Sequence, residues 1–163
     1  MEERALKTEH KVIAPDVLLG EFRRILQEED GVDALPLLIS GNSMSPFLIH
    51  GRDTVYLSRL TRPVRRGDAL LYQRQNGSYV FHRVYAVTPE GYTMVGDAQT
   101  VLEPGIQPEQ VIAIMTRAER KDKTLVPGCF WWEFFEKVWI RIVPLRRGIH
   151  KFYSLIRHTE RLP

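Results

Sequence analysis

Ser43 lies in the run Gly41-Asn42-Ser43-Met44-Ser45-Pro46, His82 in Phe81-His82-Arg83-Val84, and two carboxylates follow in Gly96-Asp97 and at Glu103. A serine hydroxyl attacks a carbonyl well only when a neighbouring base removes its proton, and a carboxylate behind the base orients it and stabilises its charged form. Ser43 as nucleophile, His82 as base and Glu103 or Asp97 as orienting acid would together make an acyl-transfer centre. The serine's surroundings suit that chemistry. Gly41 permits close backbone approach, Asn42 tolerates unusual dihedrals, and Pro46 restricts the chain just beyond. Backbone N–H groups on such a turn can hold a developing oxyanion. The same residue types also build ordinary surface turns, so the other elements must decide.

The base can be chosen by inventory. No lysine occurs between Lys11 and Lys121, which excludes a serine–lysine dyad in that stretch and leaves His50 and His82 as its imidazoles. His50 precedes Gly51-Arg52-Asp53 and reads as an exposed turn residue. His82 alternates with Val80 and Val84 on one strand face, with Tyr79, Phe81, Arg83 and Tyr85 on the other. Between two valines, a histidine can stay neutral and accept a proton near pH 7, with an acid limb expected at about pH 6–7.

The elements that would hold these groups are mainly strands. Segment Val17–Glu28 places Val17, Leu18, Phe22, Ile25 and Leu26 on one face after Asp16, which predicts an amphipathic helix ended by Asp30-Gly31. From residue 35 to about 118, short apolar or alternating runs are broken by Gly, Pro, Asn and Asp. They predict strands near Leu35–Ile39, Thr54–Ser58, Ala69–Arg74, Ser78–Val87, Tyr92–Val95 and Gln110–Arg117, with Gln75-Asn76-Gly77-Ser78 as a hairpin turn. The organisation expected is an N-terminal segment over 1–34, a β body over 35–118 and a helical segment over 119–163. In the last, Phe130, Phe134, Val138 and Ile142 form one row and Trp131, Phe135, Trp139 and Val143 the next, over a helix of about 14 residues ended by Pro144.

With 163 residues and 44% hydrophobic, the chain suits one domain able to bury a core unaided. A single cysteine, Cys129, excludes an internal disulfide framework and a multi-cysteine metal site. Net charge is +3, with the excess concentrated in Arg141, Arg146, Arg147, Lys151, Arg157 and Arg161. Such a tail favours anionic partners. No nucleic-acid motif accompanies it, so anionic lipid fits better than nucleic acid. Three tryptophans and a basic sequel suit residues 130–157 to a membrane surface; packing of the aromatic face on the β body or on a partner protein fits equally. The charged N-terminus lacks a secretory signal and no apolar run reaches 18 residues, so the expected location is the cytoplasm or the periphery of the cytoplasmic membrane.

Gly41-Asn42-Ser43-Met44-Ser45-Pro46 resembles the nucleophile element of the signal peptidase I family of serine endopeptidases, Gly-x-Ser-Met-x-Pro. Arg66-Gly67-Asp68-Ala69-Leu70-Leu71-Tyr72 resembles that family's Gly-Asp element before an apolar strand. Phe81-His82-Arg83-Val84 resembles the element in which the endoplasmic-reticulum and archaeal type carries histidine where most bacterial members carry lysine. The resemblance covers about residues 37–117. It implies coiled antiparallel sheets, a catalytic Ser43 and His82, and a third group seven residues after Gly96, which is Glu103 where the family has Asp. Asp97 is the rival, as orienting acid or supporting acceptor. Gly41 stands where some members have a second oxyanion donor, leaving Asn42, Ser45 or another amide to assist the Ser43 N–H; Asp68 belongs to the supporting set.

The resemblance therefore implies a serine endopeptidase of the histidine type that cleaves a peptide or precursor protein held along a strand edge, with small residues beside the cut. It implies no metal or organic cofactor. The family's usual anchor before the nucleophile is replaced here by the amphipathic segment, which points to a dedicated precursor rather than general secretory signals. A second reading is an inactive peptide- or partner-binding module on the same fold. A self-cleaving repressor is disfavoured because the lysine it needs is missing.

Overall fold

The computed structural model describes residues 21–22, 24–26 and 33–146. Eight antiparallel strands form one continuous sheet: β1 (Leu35–Leu38), β2 (Thr54–Ser58), β3 (Ala69–Gln73), β4 (Tyr79–Thr88), β5 (Gly91–Val95), β6 (Glu103–Ile106), β7 (Val111–Arg120) and β8 (Lys123–Leu125). Their order is β1-β2-β7-β3-β4-β5-β6, and β8 joins β7 beyond the end of β3. This is the mainly β class expected.

Both faces of the middle strands are covered, so the alternation of β3 serves two cores at once. Ala69 and Leu71 join one cluster with Met44, Phe47, Leu48, Val55, Leu57 and Ala113. Leu70 and Tyr72 join another with Val84, Met94, Ile106, Val111 and Ile114. Successive side chains on opposite faces make this possible in a strand of only five residues. The hairpin to β4 turns at Gln75-Asn76-Gly77, where Gly77 takes a φ of +84° and Arg74 N–H donates to Ser78 C=O at 2.8 Å.

Of the N-terminal helix expected over Val17–Glu28, residues 21–22 and 24–26 are helical and bury Phe22 and Leu26 in the first core. The remainder lies outside the described residues, as does the basic tail from Arg147 onward.

The aromatic segment departs from the regular helix expected. Phe130–Glu133 is one α-turn, Phe134–Trp139 continues as a π-helical turn, and Val143–Leu145 is a 3-10 turn. A π turn carries more residues than an α turn and so shifts the phase of every later side chain. The second row is buried in large part, through Phe135 and Val143 with Trp139 packed on the first core, but Trp132 and Ile140 from outside it are buried too, while Phe130, Trp131 and Val138 are exposed. No helix among the described residues is long and apolar enough to cross a membrane.

Candidate functional site

Ser43 sits on a loop locked at several points. Met44, Phe47 and Leu48 plunge into the first core, so the residues immediately following the serine cannot drift. Asn42 C=O accepts from Ser45 N–H at 3.1 Å, Met44 C=O accepts from Leu48 N–H at 2.9 Å, and Asp53 Oδ2 accepts from Ile49 N–H at 2.9 Å. Gly41 takes a φ of +85°, and its N–H donates to His50 Nδ1 at 3.0 Å. The exposed His50 is thus a brace for the serine turn. Ser43 itself is half-buried, and among the described residues neither its Oγ nor its N–H makes a hydrogen bond.

Gly96 joins this loop to the strand pair that carries the imidazole. Ser43 C=O accepts from Ala98 N–H at 2.8 Å, and a Cβ on Gly96 would stand 2.5 Å from that same carbonyl oxygen. The pairs Arg83↔Val95 and Val84↔Met94 fix the β4–β5 register. Continued by one residue, that register brings Gly96 opposite His82. The serine loop, Gly96 and His82 therefore occupy neighbouring layers.

His82 is 4% exposed, on the face of β4 that meets the second core. It lies directly across from Leu70, which makes Tyr72 its diagonal neighbour at the spacing where long side chains meet. The two rings are 6.3 Å apart, with Tyr72 Oη 3.4 Å from His82 Nδ1. Tyr72 Oη donates to Glu103 Oε2 at 2.7 Å, and Arg74 grips both Glu103 oxygens at 2.6 and 2.7 Å. Glu103 accordingly makes no hydrogen bond to the imidazole itself and is linked to it by way of Tyr72. His82 Nε2 makes no hydrogen bond among the described residues, and neither does the buried Arg146 Nε.

Electrostatics follow from these contacts. Burial pushes His82 down from 6.5 to about 4, with the Glu103 carboxylate raising it and the Arg74 cation lowering it by lesser amounts. Arg74 holds Glu103 below the ordinary carboxylate range. Burial, followed by the bond to Glu103, pushes the Tyr72 phenol up, so that it keeps its proton.

The other carboxylates are engaged elsewhere. Asp97 is fully buried and receives Arg83 Nε and Nη2 at 3.0 and 2.9 Å, while Arg83 Nη1 reaches Gly67 C=O at 2.8 Å. Its contacts are with Arg83, whose position in β4 points away from the His82 face, and none is with the imidazole. Asp68 receives Arg62 at 2.8 Å through both oxygens and Arg65 N–H at 2.7 Å, which fastens the corner before β3. Asn42 and Ser45 make no side-chain hydrogen bond among the described residues.

Two residues read from the sequence for other duties, Trp139 in an aromatic row and Arg146 in the basic excess, complete the surroundings, and Arg146 is buried rather than offered to an anionic partner. Trp139 Nε1 donates to Asp97 C=O at 2.8 Å, and the buried Arg146 donates to Gly96, Gln99 and Trp139 carbonyls at 2.9, 3.1 and 2.7 Å. The aromatic segment therefore holds loop 96–99, the loop that supports Ser43. A cleft of about 590 Å³ lies against Arg62, Asp68, Arg83, Trp132 and Glu136, and neither Ser43 nor His82 lines it. No group of three or more metal-ligating side chains occurs among the described residues. Comparison with protein-family models, curated proteins and solved structures finds no match for the chain.

Proposed function

We propose that the protein is a serine endopeptidase resembling the signal peptidase I family in its histidine form, cleaving a peptide or precursor protein. Ser43 Oγ attacks the scissile carbonyl, His82 Nε2 takes the proton and returns it to the leaving amine, and water then releases the acyl group. The observation that carries this reading is the convergence of the Ser43 loop and His82 on Gly96, with His82 Nε2 making no hydrogen bond among the described residues. A catalytic hydrogen bond that is unmade in the free enzyme is common and forms when substrate arrives. The free Ser43 N–H is the first oxyanion donor in this account, with Asn42 or Ser45 on the same turn to assist.

The substrate would lie extended. Strand β1 pairs only with β2 among the described residues, and its outer edge leads directly into the Ser43 loop. A peptide added along that edge gains main-chain hydrogen bonds and delivers its carbonyl towards the serine. The test is digestion of a diverse peptide mixture followed by mass spectrometry. Reproducible cuts that vanish in both Ser43→Ala and His82→Ala support the peptidase. Peptides retained but never cut would instead establish the binding module.

A separate observation bears on location. Phe130 stacks on Phe134 and Trp131 meets both edge-on, Phe130 and Trp131 largely in solvent, and the sequence that follows is strongly basic. We propose that this patch, with residues out to 157, rests on an anionic membrane surface, placing the protein peripherally on the cytoplasmic membrane.

A further inference from the structure

We propose that Tyr72 is the positioning residue of His82: its hydroxyl oxygen accepts the Nδ1–H of the imidazole while its own proton is given to Glu103, so that the hydrogen-bonded link from Glu103 to His82 runs through Tyr72. The inference rests on the peptidase reading for its purpose, although its geometry stands without it.

The argument begins with proton counting. A phenol has one proton, and Tyr72 Oη faces two groups, Glu103 Oε2 at 2.7 Å and His82 Nδ1 at 3.4 Å. An ionised carboxylate can only accept. Arg74 holds Glu103 ionised through two bonds, so the shorter contact takes the phenol proton. What remains on Oη is a lone pair, and the only partner for it at Nδ1 is an N–H. That fixes the tautomer: Nδ1 carries the proton and Nε2 keeps the lone pair a base needs. The arrangement also accounts for the long contact, because a neutral N–H meeting an oxygen already committed elsewhere is weakly held, and the bond would shorten once His82 becomes cationic.

The sequence carries the reason for this device. Glu103 is tied to the end of β3 through Arg74, and Tyr72, two residues before Arg74, projects from the same strand face into the second core. A buried phenol thereby joins an outlying carboxylate to an imidazole that it does not itself touch. During proton transfer, the Tyr72 proton moves further towards Glu103 as Nδ1–H strengthens its bond to Oη; no atom leaves the relay.

The test is the ¹⁵N spectrum of His82 in the intact wild-type protein at pH 7, which reads the tautomer without any substrate. A protonated Nδ1 and an unprotonated Nε2 are expected. In Tyr72→Phe, checked for folding by its thermal transition, the spectrum should move towards the Nε2–H form, and acylation of Ser43 should slow about tenfold in the maximal rate with probe affinity unchanged. A wild-type His82 protonated at Nε2 overturns the proposal even if the variant does not fold, and so does a folded Tyr72→Phe with the wild-type spectrum. If the tautomer is as expected but Ser43 does not react, the positioning stands and the peptidase reading falls.

Discussion

At the scale of residues, burial rather than a direct carboxylate sets the behaviour of His82. A base whose folded pKa is depressed stays neutral further into acid: the unfolded chain takes its proton first, so folding stability falls as the pH drops from 6.5 towards 4. The loss is on the order of 3 kcal/mol across that window. The acid limb of Ser43 acylation should accordingly lie near pH 4 to 5, below the range of 6–7 expected of an ordinary histidine. Acylation rates against pH, with folding followed in parallel, check this; a midpoint at 6–7 would contradict it. Arg74→Gln removes a cation that lowers His82, so that limb should move upward in the variant. Asp97 behaves differently. Replacing it with Ala leaves Arg83 buried and unpaired, and a loss of about 3–5 kcal/mol in denaturant unfolding is expected, whereas a folded Asp97→Ala of unchanged stability would show that the pair is dispensable.

At the scale of elements, what was legible in the sequence is what local chemistry dictates. Thr54–Ser58 is the strand that its alternation predicts, and the hairpin at Gln75-Asn76-Gly77 turns where Asn and Gly allow it. Glu103–Ile106 escaped notice because Pro104 and Gly105 read as loop, and Lys123–Leu125 because three residues carry no period. The aromatic segment misled for a different reason: ten of the fourteen positions from Phe130 to Val143 are apolar, more than one face can hold, and the π turn at Phe134–Trp139 decides which of them turn inward. Ser43 and His82 could be singled out by type and motif, but the partnership of Tyr72 with His82 depends on the β3–β4 register, which no local pattern encodes. The same holds for Gly96. Because its Cβ would meet the Ser43 carbonyl at 2.5 Å, Gly96→Ala must displace the serine loop. A fall in acylation of at least tenfold is expected, and an unimpaired, folded Gly96→Ala would show that the contact does not position Ser43.

At the scale of the whole molecule, the aromatic segment has two faces with separate duties. Its inner face, through Trp139 and Arg146, fastens loop 96–99 and hence the serine loop; its outer face leaves Phe130 and Trp131 in solvent. A test of membrane contact must therefore spare Trp139. Phe130→Ala combined with Trp131→Ala should abolish co-sedimentation with anionic vesicles without lowering thermal stability, and equal sedimentation of the wild type and the double variant would remove the membrane reading. The site and its support are thus one assembly: a sheet whose register brings Tyr72 to His82, a carboxylate fastened by Arg74, and an aromatic segment braced against the loop beneath Ser43. The most direct measurement of the central claim is reaction of the purified protein with a serine-reactive phosphonate, which phosphonylates the hydroxyl as its leaving group departs, the adduct being located by intact-mass and peptide mass spectrometry. The account predicts a single adduct on Ser43, lost in Ser43→Ala and strongly slowed in His82→Ala. A folded protein that takes no adduct at Ser43 from several such probes, or takes it equally well without His82, would contradict it.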